Sequence, residues 1–185
     1  IVTIDTGGRL EAVDSTLGGI TGEGIVSVTG IGSEWINTGT LSIAEFGQGT
    51  LNIADGALVQ NGNCVVGVGV PIDALAGTVV VDGVGSLWRN LGALTIGEER
   101  AGNLTITNGA KVTSVFGLVG NEHMNHGTDI GHGVGTVTVA GPGSEWDISS
   151  VLIIGNRGTG VMNVTQDAIV RSSDGFVGDA STGDG

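Results

Sequence analysis

The chain has 185 residues, enough to bury a continuous core either as one domain or as a stretch of a repeat array. Its 37 glycines follow no every-third-residue pattern, which excludes collagen, and a hydrophobic content of 39% excludes a disordered chain. Six basic against 19 acidic residues give a net charge of -13, which repels phosphate backbones and anionic lipid headgroups and excludes nucleic acid as a partner.

Only 3% of the residues are aromatic, so the core must be filled by Val, Ile, Leu and Ala, side chains that suit narrow, strand-lined interiors. The chain opens on a partial repeat, residues 1–23, in which Val2-Thr3-Ile4, Gly7 and Leu17-Gly18 match the later part of a unit that then occurs in full three times. The first copy, residues 24–76, runs through Val26-Ser27-Val28, Gly32-Ser33-Glu34-Trp35, Leu41-Ser42-Ile43, Leu51-Asn52-Ile53, Ala57, Val59 and Val66-Gly67. The second, residues 77–134, runs through Val79-Val80-Val81, Gly85-Ser86-Leu87-Trp88, Leu94-Thr95-Ile96, Leu104-Thr105-Ile106, Ala110, Val112 and Val119-Gly120. The third, residues 135–185, runs through Val137-Thr138-Val139, Gly143-Ser144-Glu145-Trp146, Leu152-Ile153-Ile154, Met162-Asn163-Val164, Ala168, Val170 and Val177-Gly178.

Most of these segments are short and alternate apolar with polar, the period of a strand with one buried face. Glycine clusters such as Gly47-Gln48-Gly49 and Gly158-Thr159-Gly160 read as tight corners between strands. The fold predicted is all-β, a parallel β-helix or β-solenoid, in which each unit buries its apolar face against its neighbours. A short-strand sandwich lacks a reason for such strict repetition, and a β-propeller blade would need longer strands and an aromatic signature. The connections Gly19–Gly24, Val68–Gly77 and Asn121–Gly135 vary in length and are expected to be loops on one face. No run approaches the ~18 apolar residues that cross a bilayer. Because the numbering begins inside a repeat, the chain is expected to be a fragment whose end strands, if uncapped, would fray or associate end to end.

The unit, Gly-Ser-x-Trp followed by Leu-x-Ile-Gly, Gly-x-Leu-x-Ile-x-x-Gly-Ala-x-Val and Val-Gly, resembles the passenger-associated transport repeat of bacterial autotransporters and related repeats of PEP-CTERM-associated surface proteins. The resemblance covers essentially the whole chain, with Ala44 and Asp167 standing where other copies have glycine. It implies a right-handed β-helix, part of the passenger of a type V secretion system, displayed or secreted outside the outer membrane of a Gram-negative bacterium. Adhesion, surface display and biofilm formation are the functions it implies.

Candidate chemistry is sparse. His123, His126 and His132 lie together in the longest connection near Glu122 and Asp129, but their spacing matches no helical ligand pair and no cysteine accompanies them, so a solvated loop is expected. Asp5, Asp14, Asp55, Asp82, Asp167, Asp174 and Asp179 form no calcium-binding repeat or EF-hand loop and are expected at corners and in solvent. Glu34, Glu98, Glu99 and Glu145 form no carboxylate pair that breaks the repeat, as the hydrolysis of a glycan would require. Ser33, Ser86 and Ser144 have no histidine or acid at a fixed offset, so no nucleophilic triad is read there.

Each Trp shares a face with its Ser while the residue between them varies, which places the ring in the core rather than on a sugar. Asn103-Leu104-Thr105 and Asn163-Val164-Thr165 match a glycosylation acceptor but are read as outward Asn and Thr on strands. Cys64, the single cysteine, forms no internal disulfide and is read as a small buried hydrophobe in a slot held by larger apolar residues elsewhere.

No catalytic, cofactor-binding or metal-ligating residue is therefore assigned. The expected role is a structural and adhesive segment that presents a surface to a host cell, a neighbouring cell or an extracellular glycan. A β-helical polysaccharide-active enzyme and a phage or filament fibre are the alternatives.

Overall fold

The computed structural model describes residues 1–19, 22–69, 76–121 and 133–178. The strands form three parallel sheets of seven strands each, and every coil of the chain contributes one strand to each sheet. The coils are Val2–Ile4, Arg9–Ala12 and Ser15–Leu17; Gly24–Thr29, Glu34–Asn37 and Leu41–Ile43; Gly49–Ala54, Leu58–Asn61 and Cys64–Val66; Gly77–Asp82, Leu87–Asn90 and Ala93–Ile96; Ala101–Thr107, Lys111–Ser114 and Phe116–Asn121; Val134–Ala140, Glu145–Ile148 and Val151–Asn156; and Thr159–Thr165, Ile169–Arg171 and Asp174–Val177. This is a parallel β-solenoid, as the repeat predicts.

One sequence unit makes two coils, not one. Trp35 is in register with Val59, Trp88 with both Val59 and Val112, and Trp146 with both Val112 and Val170. The Trp-bearing and Ala-Val-bearing halves of the unit therefore occupy the same slots in alternate coils, and large rings alternate with valines along the axis. The third sheet shows the same complementarity: a Cβ on Gly117 would lie 3.0 Å from the Trp146 ring and 3.1 Å from Leu152. That contact leaves no room for a side chain beneath the indole.

Inward residues of all three sheets make one core. Val28, Ile43, Leu51, Ile53, Val66, Val81, Ile96, Ile106, Val119 and Val139 are fully buried in a continuous column that includes Trp88 and Trp146. Burying each such aliphatic side chain stabilises by about 1.5–3 kcal/mol before chain entropy is counted. In the last coil the inward side chains are less covered, with Val164 and Val177 exposed.

Two glycine positions are required at the corner from the third sheet back to the first, for different reasons. Gly18, Gly67, Gly97, Gly120 and Gly155 have φ between 68° and 81°, the left-handed region in which glycine alone is unstrained, and Ala44 takes the same slot at φ 60°. Glycines 24, 49, 102, 135 and 160, the first or second residue of the next strand, are needed for space, because a Cβ there would lie 2.3–2.5 Å from the backbone nitrogen of the corner residue. At the corner from the first sheet to the second, Asp167 and Gln166 adopt φ of 60° and 56°, where the earlier copies place Asp55-Gly56 and Asn108-Gly109. The departure noted in the sequence is thus accommodated as a left-handed Asp.

Candidate interaction surface

Inside the core, each recurrent Ser has a structural task. The Oγ atoms of Ser33, Ser86 and Ser144 accept hydrogen bonds from the amides of Gly7, Gly56 and Gly109 at 3.1, 3.0 and 3.0 Å, each in the corner of the preceding coil. Ser144 Oγ also donates to the Ala140 carbonyl at 2.8 Å. These buried hydroxyls staple successive corners, which satisfies amides that have no place in a ladder. The sequence dismissed a nucleophile here without finding this role; the signal was Ala at the equivalent positions of alternate coils, Ala57 and Ala110, where the hydroxyl is not required.

The tryptophans lie inside, Trp35 at 2% exposure and Trp88 and Trp146 at 0%, which removes them as a stacking platform for sugars. The indole N–H groups of Trp88 and Trp146 are tied to a polar column at the inner end of the second sheet. Trp88 Nε1 donates to Asn61 Oδ1 at 2.8 Å, Asn61 Nδ2 donates to Asn90 Oδ1 at 2.7 Å, and Trp146 Nε1 donates to Ser114 Oγ at 3.1 Å. Trp35 Nε1 and Asn37 Nδ2 are buried without a partner.

Cys64 is also buried, and burial pushes its thiol well above its ordinary pKa. Its slot differs from the expectation: one repeat on, the position holds Gly117 and then Gly175, while Leu41 and Leu94 are its neighbours in adjacent coils. A small residue is wanted there because the coil above brings a large ring.

The outer faces of the sheets differ sharply in chemistry. The second sheet turns outward Arg9, Glu11, Glu34, Arg89, Lys111, Glu145, Asp147 and Arg171. Several pair between coils: Arg9 with Glu34 at 3.1 Å, Lys111 with Glu145 at 3.1 Å, and Arg171 with Glu145. Exposed pairs of this kind contribute about 0–1 kcal/mol each. Glu34 and Glu145 are thus partners of cations in a ladder, not a carboxylate pair facing a substrate. Glu99 is held as well, accepting from the Gly69 amide at 2.9 Å.

The outward row of the third sheet runs Thr16, Ser42, Val65, Thr95, Leu118, Ile153 and Phe176, mostly polar in the first four coils and apolar in the last three, with Phe116 beside it. In the first sheet, Asp82 is the one charged residue in all seven strands. Thr, Asn and Ser dominate its outward rows, and these include Asn103, Thr105, Asn163 and Thr165 of the two acceptor-like motifs.

Of the remaining acids, Asp14 Oδ1 accepts from the Thr40 amide at 2.7 Å, and Asp55 sits at a left-handed corner with φ 57°. Among the described residues no three His, Cys, Asp or Glu side chains gather as metal ligands. His123, His126, His132 and Asp179 lie outside the described residues.

In sequence, 133 residues, 71% of the chain, are 31% identical to part of the adhesin BmaC autotransporter of Brucella suis biovar 1 (strain 1330). The chain is similar to a stretch of an autotransporter adhesin. It spans only 4% of that protein's length. No family model matches the chain, and no solved structure matches it. The similarity and the solenoid together describe a β-helical, autotransporter-like chain built of repeats.

Proposed function

We propose that this chain is a structural and adhesive segment of an autotransporter passenger, built from passenger-associated transport repeats and displayed outside the outer membrane of a Gram-negative bacterium. The observation that carries the reading is that all seven coils stack in unbroken register, with charged side chains along the outer face of the second sheet and mainly hydroxyls and amides along that of the first. Such a rod extends in proportion to its number of coils, at ~4.8 Å each, and presents long lateral surfaces rather than one cleft. The similarity to an adhesin supports the same reading. So does the pairing of the recurrent acids with cations, which leaves a ladder where a glycan hydrolase would need an acid and a base or nucleophile. The role proposed is therefore presentation and contact, not turnover.

The test is saturable binding of beads coated with the chain to host-cell monolayers and to neighbouring bacterial cells, with beads bearing an unrelated acidic protein as control. Binding to either surface above the control is the expected result. Absence of binding to both, or turnover of a glycan by the chain, refutes the reading.

A further inference from the structure

Resting on that adhesive reading, we propose that the outer face of the first sheet binds an uncharged glycan chain laid along the solenoid axis. The outer strand faces of two sheets of one solenoid have been filled differently. The second sheet presents eight charged side chains, whereas the seven strands of the first hold one, Asp82. Strand propensity favours Thr on both faces alike and gives no reason for the difference. The lone charge is itself engaged, since Asp82 Oδ1 accepts from Thr107 Oγ1 and Asn108 Nδ2, both at 2.7 Å. In a chain of net charge -13, the strands of this face carry only that one charge, while Asp5, Asp55 and Asp167 stand at the corner just beyond them.

What fills the face instead is mainly hydroxyl and amide, with Ile25, Val80 and Val161 as the apolar positions of its two central rows. Thr50, Thr78, Asn103 and Thr136 follow one another in register through four successive coils, and Thr105 and Thr138 form part of the adjacent row. All six are half-buried, and none makes a side-chain hydrogen bond among the described residues. Each Thr can donate one hydrogen bond and accept two, and each Asn can do both, which matches the mixed donor and acceptor character of a sugar hydroxyl. The threonine methyl groups add apolar patches suited to the C–H faces of a pyranose ring. Threonine, branched at Cβ, is stiff at χ1, so little order is lost when these side chains bind.

The rows repeat every ~4.8 Å along the axis. A linear polymer whose sugar units advance by a similar step meets a hydroxyl or amide of the first row at four successive coils, and its affinity grows with the number of units engaged. The acidic chain repels uronate or sulfated polymers, so the partner is a neutral glycan.

The experiment measures binding of cellohexaose, chitohexaose and mannohexaose to the full 185-residue chain by calorimetry, with polygalacturonate as the anionic comparison. At least one neutral hexamer should bind more tightly than its trimer and with little dependence on salt. The variant T105E/T138E should weaken that binding at least about tenfold. Arg89→Ala on the second sheet should leave it unchanged, and T78A/T136A provides a milder variant should the glutamates disturb folding. Failure of all three neutral hexamers to bind, or equal binding by the first-sheet variants, overturns the proposal. Hexamer binding and cell binding that both persist undiminished in T105E/T138E would refute the glycan face while leaving the adhesive reading standing. Loss of cell binding by the unaltered chain with retained glycan binding would do the reverse.

Discussion

Replacing Ala12 with Asn should stabilise the solenoid at a point where its own pattern is incomplete. The last inward position of the second-sheet strand accepts a hydrogen bond from the indole of the next coil at Asn61 and again at Ser114. Register places Ala12 under Asn37 as Asn61 lies under Asn90, so Ala12 occupies the acceptor position for Trp35 and offers no acceptor. Accordingly Trp35 Nε1, on a side chain 2% exposed, has no partner.

A buried donor left unpaired costs about 1–3 kcal/mol, and ordering the new Asn side chain returns part of that, so Ala12→Asn should gain about 1 kcal/mol. For a chain of this length the gain raises Tm by roughly 2–4 °C. A solenoid can open from its ends, so a local readout is needed beside the melting curve: exchange of the Trp35 indole proton should slow. Ala12→Val fills the same space without an acceptor. If Ala12→Asn is no more stable than Ala12→Val, or the Trp35 proton exchanges as fast as before, the missing acceptor is not what this position lacks.

Trp88→Ala should cost about 3–5 kcal/mol in a denaturant titration, because it empties a fully enclosed site and frees Asn61 Oδ1. Gly97→Ala should be severe, at least about 3 kcal/mol, since its Cβ would lie 2.3 Å from the Val134 backbone. Gly7→Ala, at φ 80° with nothing within 4 Å, should lose only about 1 kcal/mol by the same measurement. The Cys64 thiol should resist alkylation in the folded chain and react on unfolding. Its pKa is raised by burial, so its contribution to stability is complete below the unfolded thiol's value and is lost as pH rises above about 9; Cys64→Ala should flatten that decline in melting temperature.

The core slots were legible because in-facing residues must be apolar at a period of two, so Leu41, Ile43, Leu51 and Ile53 announce their face. The two-coil composition of the unit was not. Trp and Val share a slot but not a size, and the eye takes the Trp spacing as the period. The cue lay in the glycines at the start of six of the first-sheet strands: 49 − 24, 102 − 77 and 160 − 135 all give 25, against Trp spacings of 53 and 58. The hydroxyl face was invisible for another reason. Thr and Asn on a strand look like ordinary solvated positions until register shows them aligned across coils and the neighbouring sheet shows the charges they lack.

The alternation of indole and valine imposes a parity rule on how such an array can grow or shrink. Removing one coil between Val59 and Val112 would seat two valines against each other and leave a void of indole size, and duplicating the Trp88 coil alone would stack one indole directly upon another. Either change mismatches volumes that an ordinary core does not absorb. Slippage or recombination by two coils keeps every ring over its small neighbour. Lengths of related rods should therefore differ in steps of about 9.6 Å, twice the spacing between adjacent strands, and a rod cut and rejoined by an odd number of coils should fail at the junction even though every strand still finds a partner.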